Sequence, residues 1–225
     1  SGNDDAQKRQ VLKDVFGFDD FRPGQEQAVD ALLAGRNVLT IMPTGSGKSL
    51  CFQVPALIRG GMTIVVSPLV ALMKDQVAAL RLAGVAADTI NSSRDRAENV
   101  AVWRSAAAGE MRLLYMSPER LMTETMLAAL CRLEVRLIAI DEAHCISEWG
   151  HDFRPDYRNL KTLRRDYPNV PIIALTATAT EKVRQDIVAQ LGLNNAETFS
   201  SGLNRPNLSY TVRPKKKGFE SLLNL

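Results

Sequence analysis

Val38-Leu39-Thr40-Ile41-Met42 runs directly into Pro43-Thr44-Gly45-Ser46-Gly47-Lys48-Ser49, and a helix-forming sequence opens at Leu50-Cys51-Phe52. An apolar strand, a glycine-rich turn and a helix start, in that order, form the context of a phosphate-binding loop. Free backbone N–H groups and the positive end of the helix attract an anion at such a turn. Gly45 and Gly47 let the backbone fold tightly and approach that anion closely. In this pattern the Lys48 ammonium reaches the outer phosphates and the Ser49 hydroxyl ligates magnesium, while Thr44 and Ser46 complete the turn. The general form has glycine at position 42, where this chain has Met42.

Working outward, further strands are expected over Met62 to Val66, Arg112 to Met116, Leu137 to Ile140 and Ile172 to Leu175. Each is a continuous apolar run, as befits a sheet covered on both faces. Helices are expected over Gln25 to Leu33, Leu69 to Leu82, Ala97 to Ala107 and Glu181 to Leu191, the first and last stopped by Gly35 and Gly192. Alternation of this kind predicts an α/β fold, a mostly parallel sheet with helices on both faces. Ligands bind such sheets beyond the carboxyl ends of their strands.

Leu137-Ile138-Ala139-Ile140-Asp141-Glu142 ends a predicted strand in two carboxylates. Paired with the phosphate loop, Asp141 is a second magnesium ligand and Glu142 a base for an attacking water. The chain has 225 residues, 45% hydrophobic and 24% charged, with formal net charge +3. That charge permits nucleic-acid binding without arguing for it. No apolar run reaches membrane-spanning length. Cys51, Cys131 and Cys145 lack paired spacing, which disfavours a disulfide framework and fits a reducing compartment. His144 and His151 lack metal-ligand spacing to a cysteine, so coupling roles are expected for them and no zinc.

Asp141-Glu142-Ala143-His144 spells a DEAH box, and with it the chain resembles the first RecA-like domain of a superfamily 2 helicase, specifically of the RecQ family of DNA helicases. The resemblance covers about residues 8–213. It implies a RecA-like P-loop fold using ATP and Mg2+. Phe18-Asp19-Asp20-Phe21-Arg22-Pro23-Gly24-Gln25 is similar to the RecQ segment that precedes the phosphate loop. The likeness assigns Gln25 to the adenine edge, with Phe18 and Arg22 packed on the base; on composition alone, Phe18 and Phe21 would be core residues. Ser67-Pro68, with Lys74 beyond, and Ser117-Pro118-Glu119-Arg120 are similar to segments that hold single-stranded DNA, although ordinary helix capping is the plainer reading of the residues.

Cys145-Ile146-Ser147-Glu148-Trp149-Gly150-His151-Asp152-Phe153-Arg154-Pro155-Asp156-Tyr157 resembles the aromatic-rich loop of RecQ proteins. There Trp149 and Phe153 stack on unpaired bases, with His151 and Arg154 beside them. A tucked loop with buried aromatics is the alternative. Thr176-Ala177-Thr178 is similar to the family motif that couples hydrolysis to DNA handling. The resemblance therefore implies an ATP-dependent 3′–5′ DNA helicase of repair and recombination, acting on single-stranded and partly duplex DNA. It would sit in a bacterial cytoplasm and nucleoid or in a eukaryotic nucleus. Alternatives are an RNA helicase or double-strand translocase, or a nucleic-acid-binding scaffold with an inactive nucleotide site. Residues 1–7 read as a tag remnant or extension, and 214–225 as a linker entering a truncated second RecA-like domain. Zinc-binding and winged-helix regions would follow Leu225. The chain alone is expected to hydrolyse ATP poorly.

Overall fold

A computed structural model of the chain describes residues 2–43, 47–177 and 180–200. In chain order the elements are α1 (Gly2–Phe16), α2 (Gln25–Leu33), β1 (Val38–Ile41), α3 (Leu50–Arg59), β2 (Met62–Val66), α4 (Val70–Leu82), β3 (Ala87–Ile90), α5 (Arg96–Ala107) and β4 (Leu113–Met116). They continue with α6 (Pro118–Leu121), α7 (Glu124–Leu130), β5 (Val135–Ile140), a 3-10 turn (Ala143–Ile146), α8 (Pro155–Arg158), a second 3-10 turn (Asn159–Thr162), α9 (Leu163–Asp166), β6 (Ile172–Thr176), α10 (Glu181–Gln190) and β7 (Glu197–Ser200). The seven strands form one sheet in the order β3-β4-β2-β5-β6-β1-β7. Every pairing in it is parallel.

The pleat explains why the strands read as unbroken apolar runs. Ile64, Leu114, Ile138, Ile140, Ile172 and Ala174 face one core layer. Their neighbours Val65, Leu113, Leu137, Ala139, Ile173 and Leu175 face the other. Successive strand side chains point to opposite faces, so a sheet covered on both sides needs apolar residues throughout.

All five expected strands are present within two residues of the read limits, as are the four expected helices. The two unforeseen strands, β3 and β7, are the sheet edges. Ala87-Asp88-Thr89-Ile90 carries polar residues at its two middle positions, and Glu197-Thr198-Phe199-Ser200 at all but Phe199. An edge strand with a half-covered face has no need of the continuous run that marks its central neighbours. Helix α1 was also unforeseen. It continues back through residues 2–7, and the buried Lys8 ammonium fixes it, lying 3.0, 2.9 and 2.6 Å from carboxylates of Asp5, Glu26 and Asp30. That cluster ties α1 to α2 and sets the entry of the segment carrying Phe18 and Gln25. The expected linker at residues 214–225 lies outside the described residues.

Candidate functional site

Strand order brings the chemistry together. β6 lies between β5 and β1, so the ends of all three converge at one edge, with Ile41 paired to Thr176. Lys48 leaves the turn after β1, and its Nζ lies 3.1 Å from Asp141 Oδ1 and 3.4 Å from Glu142 Oε2. Asp141 is only 5% exposed. Burial pushes its carboxyl above the ordinary range; Lys48 opposes that shift and Glu142 adds to it. Ser49 precedes α3, and its hydroxyl makes no capping bond to that helix. Serine and carboxylate oxygens beside a compensating cation are a donor set suited to a hard ion such as magnesium. Thr44, Gly45 and Ser46, which belong to the same turn, lie outside the described residues.

Gln25 is buried at the start of α2 and joins two segments. Its Oε1 accepts the Arg22 N–H at 2.7 Å, and its Nε2 donates to the Gly47 carbonyl at 2.8 Å. Gly47 has φ +79, which favours glycine, and a Cβ there would lie 2.6 Å from Gln25 Nε2 and displace that amide. Phe18, expected on composition to be core, is instead 49% exposed, and Arg22 is exposed as well. Phe21 packs partly against the small cluster around Leu12, with the Arg9 guanidinium 5.9 Å from its ring.

Beyond β5 the backbone turns sharply. Glu142 has φ 52 and ψ 42, a left-handed conformation uncommon for a residue with a Cβ, and its N–H donates to Asp141 Oδ1 at 2.9 Å. Strain of this kind persists only where surrounding contacts impose it. One such contact is the buried Tyr157 hydroxyl, which donates to the Asp141 carbonyl at 2.7 Å. Another is His144, whose Nδ1 lies 2.8 Å from Thr176 Oγ1 across the end of β6. Burial lowers the His144 imidazole below its ordinary value, against raising contributions from Glu142 and Asp152. Thr178 lies outside the described residues.

The segment after this turn projects outward. Trp149 is 64% exposed, contrary to a tucked-loop reading, and its N–H donates to Ser147 Oγ at 3.1 Å. The cations on the aromatic faces are not the one expected. Lys182 Nζ lies 3.7 Å above the Trp149 ring, and the Arg158 guanidinium 5.3 Å from Phe153. Arg154 instead lies beside Asp152, at 3.8 Å, and His151 stacks on His144 with ring centres 5.7 Å apart. Glu148 pairs with Arg158 at 2.9 Å, which offsets its negative charge beside the rings.

Ser67 and Ser117 occupy the ends of β2 and β4, on the other side of β5. Both side chains are buried. Ser67 Oγ accepts the Leu69 N–H at 3.1 Å, while Ser117 makes no capping bond although it precedes α6. Lys74 and Glu119 are exposed; Pro68 and Arg120 are half-buried and Pro118 is buried. Burial and the neighbouring Glu119 hold the Asp156 carboxyl above its ordinary range, so α6 and the loop end meet there.

Sequence reading missed three contributors. Lys182 and Arg158 act through folding alone, since neither adjoins its aromatic partner in the chain. Gln53, Tyr115 and Gln76 form a buried polar set joining α3, β4 and α4, with Tyr115 OH accepting from Gln53 at 3.0 Å and donating to Gln76 at 2.8 Å. A tyrosine inside the apolar run Leu113-Leu114-Tyr115-Met116 was the available signal, because a buried hydroxyl requires a partner.

Over residues 22–187 the sequence matches the family model described as DEAD/DEAH box helicase, and the chain belongs to that family. Within it, curated relatives of this chain include RecQ-type helicases. The ATP-dependent DNA helicase RecQ of Haemophilus influenzae is 48% identical over 94% of this chain and 34% of its own length. The RecQ helicase of Bacillus subtilis is 47% identical over 90% of this chain and 34% of its length. ATP-dependent DNA helicase Q-like 2 of Arabidopsis thaliana is 43% identical over 94% and 31%. The chain thus spans about a third of the length of these relatives. Among solved structures, a hypothetical ATP-dependent RNA helicase from Sulfolobus tokodaii superposes with TM-score 0.68 at 22% identity, covering 87% of this chain and 57% of that one. The DUF1998 helicase MrfA bound to DNA gives TM-score 0.70 at 19% identity, covering 87% and 29%. These two confirm the RecA-like fold. No helix among the described residues is long and apolar enough to cross a membrane.

Proposed function

We propose that this chain is the ATP-binding motor domain of a RecQ-like DNA helicase, coupling ATP hydrolysis to movement along single-stranded DNA in repair and recombination. The observation that carries the reading is the cluster Lys48–Asp141–Glu142, joined through His144 to Thr176 and continued by a loop with an exposed Trp149. Lys48 moves from the two carboxylates to the β- and γ-phosphates when nucleotide enters. Ser49 and Asp141 would hold magnesium, which when bound would supply neutralisation of the phosphate charge. Glu142 accepts the proton of the water that attacks the γ-phosphorus. Gln25, tied to the phosphate loop through Gly47, meets the adenine edge, with Phe18 and Arg22 on its face.

Ser67, Pro68, Lys74, Ser117, Pro118, Glu119 and Arg120 line the path of the DNA backbone, with the two buried serines shaping their turns. Trp149 and Phe153 stack on bases, while His151, Arg154, Thr176 and Thr178 transmit that contact to the nucleotide. Residues 8–213 form the motor unit in this reading. The greater length of the relatives supports a second RecA-like domain and further regions in the whole protein. An arginine from such a domain contributes on the order of 10³ to 10⁵ in rate in related hydrolases, so the chain alone turns ATP over poorly.

The test compares Lys48→Ala with Glu142→Gln, using nucleotide binding by this chain and hydrolysis by the full-length protein. Lys48→Ala is expected to lower ATP affinity at least tenfold, about 1.4 kcal/mol. Glu142→Gln is expected to bind ATP normally and to lose hydrolysis by about 10² to 10⁴, the usual contribution of a general base. Equal loss of ATP affinity in both variants would refute Glu142 as the base.

A further inference from the structure

His144 and Cys145 are neighbours in sequence, and the loop that follows returns Asp152 to them. One ligand atom from each of the three lies within 4.8 Å of the others. Asp152 Oδ2 is 3.9 Å from His144 Nε2 and 3.8 Å from Cys145 Sγ. Tetrahedral zinc has bonds of about 2.0–2.3 Å to nitrogen, oxygen and sulfur, which separates its ligand atoms by about 3.3–3.7 Å. The two distances to Asp152 therefore need to close by only about half an ångström. Spacing along the chain could not reveal this set, because its members come from the two ends of a folded loop.

We propose that His144, Cys145 and Asp152 form a binding site for a thiophilic divalent cation of the zinc class. Nitrogen, thiolate and carboxylate in one place select such an ion over magnesium, and three protein ligands leave a fourth position for water. The far side of His144 is already engaged. In the tautomer that donates Nδ1–H to Thr176, Nε2 presents its lone pair toward Asp152, the kind of outer bond that orients metal-ligating histidines. Binding expels the Cys145 thiol proton to solvent and forms the metal–sulfur bond. Arg154, 3.8 Å from the same carboxylate oxygen and half-exposed, swings away to admit the ion. The cation would fasten the loop carrying Trp149 to the segment after β5 and hold it in one arrangement.

The test uses this chain without nucleotide, magnesium or DNA, so its outcome does not depend on the motor reading. Cys131, which is exposed, is first replaced by serine. Cadmium is then titrated while the ultraviolet thiolate-to-cadmium band is recorded; binding to Asp141 and Glu142 alone gives no such band. The expected result is one band saturating at one cadmium per chain and bleached by added zinc. It is lost in Cys145→Ala and shifted at least tenfold toward weaker binding in Asp152→Asn. The Asp152→Asn variant alters a half-exposed loop position, and an unchanged melting temperature verifies its fold. Absence of a saturable band, a band that survives Cys145→Ala, or parental affinity in Asp152→Asn would overturn the proposal.

Discussion

The strand ends and the loop beyond them handle the same kinds of side chain in opposite ways. At the ends of β1, β5 and β6, polar and charged groups are buried or half-buried and answer one another: Lys48 against Asp141 and Glu142, His144 against Thr176. A few residues on, Trp149 stands in solvent with a lysine over its face, and Phe153 has an arginine. Charges in the first region are difficult to move, because each is desolvated and needs its partner. Rings in the second are easy to take over, because an exposed cation–π contact contributes about 0.5–1 kcal/mol whereas a stacked base contributes about 1–3 kcal/mol. In the proposed reading, bases displace the cations, while the Lys48 cluster keeps its geometry until phosphate arrives.

The largest effect that would sharpen this contrast lies at Tyr157, which joins the regions. Tyr157→Phe leaves the Asp141 carbonyl without its buried donor and should cost about 1 kcal/mol. In a domain of this size that lowers the melting temperature by about 2–4 °C. An unchanged melting temperature together with unchanged nucleotide affinity would mean that the two regions are not joined there.

The buried region should also leave a signature in the pH response. His144 has a folded value below its ordinary 6.5, so the unfolded chain takes up its proton first as pH falls. Its contribution to stability is present above pH 6.5 and is lost as pH falls through the depressed value. Thermal melts between neutral and mildly acidic pH should therefore decline less steeply in His144→Asn. Asp141 runs the other way: with its value raised above 3.8, its contribution is present below 3.8 and lost as pH rises through the folded value.

Smallest of all should be Lys182→Ala. Tryptophan emission should change, since the cation leaves the Trp149 face, while the melting temperature should move by less than about 2 °C. Unaltered emission would break the contrast on the loop side.

How much could be read beforehand follows the same division. Central strands were legible because two covered faces favour apolar residues in succession, as in Leu137-Ile138-Ala139-Ile140. The edge strands were not, since Asp88 and Glu197 occupy positions that a single covered face leaves free. Lys48, Ser49, Asp141 and Glu142 were legible because a turn and a strand end fix them locally. Contacts made only by folding stayed hidden: Lys182 on Trp149, Tyr157 on the Asp141 carbonyl, and Asp152 beside His144 and Cys145. Each joins elements whose separation along the chain carries no pattern.

The central claim is that an exposed ring reports DNA to a buried nucleotide cluster. It is tested most directly by the ratio of DNA-stimulated to DNA-independent ATP hydrolysis in full-length Trp149→Ala, with the melting temperature measured on the same preparation. Trp149 is mostly solvent-exposed, so its truncation should leave the fold within about 0.5 kcal/mol of the parent. The account predicts that this ratio falls at least tenfold, with basal hydrolysis and melting temperature unchanged. A parental ratio, or a parallel loss of stability and of both activities, would contradict it.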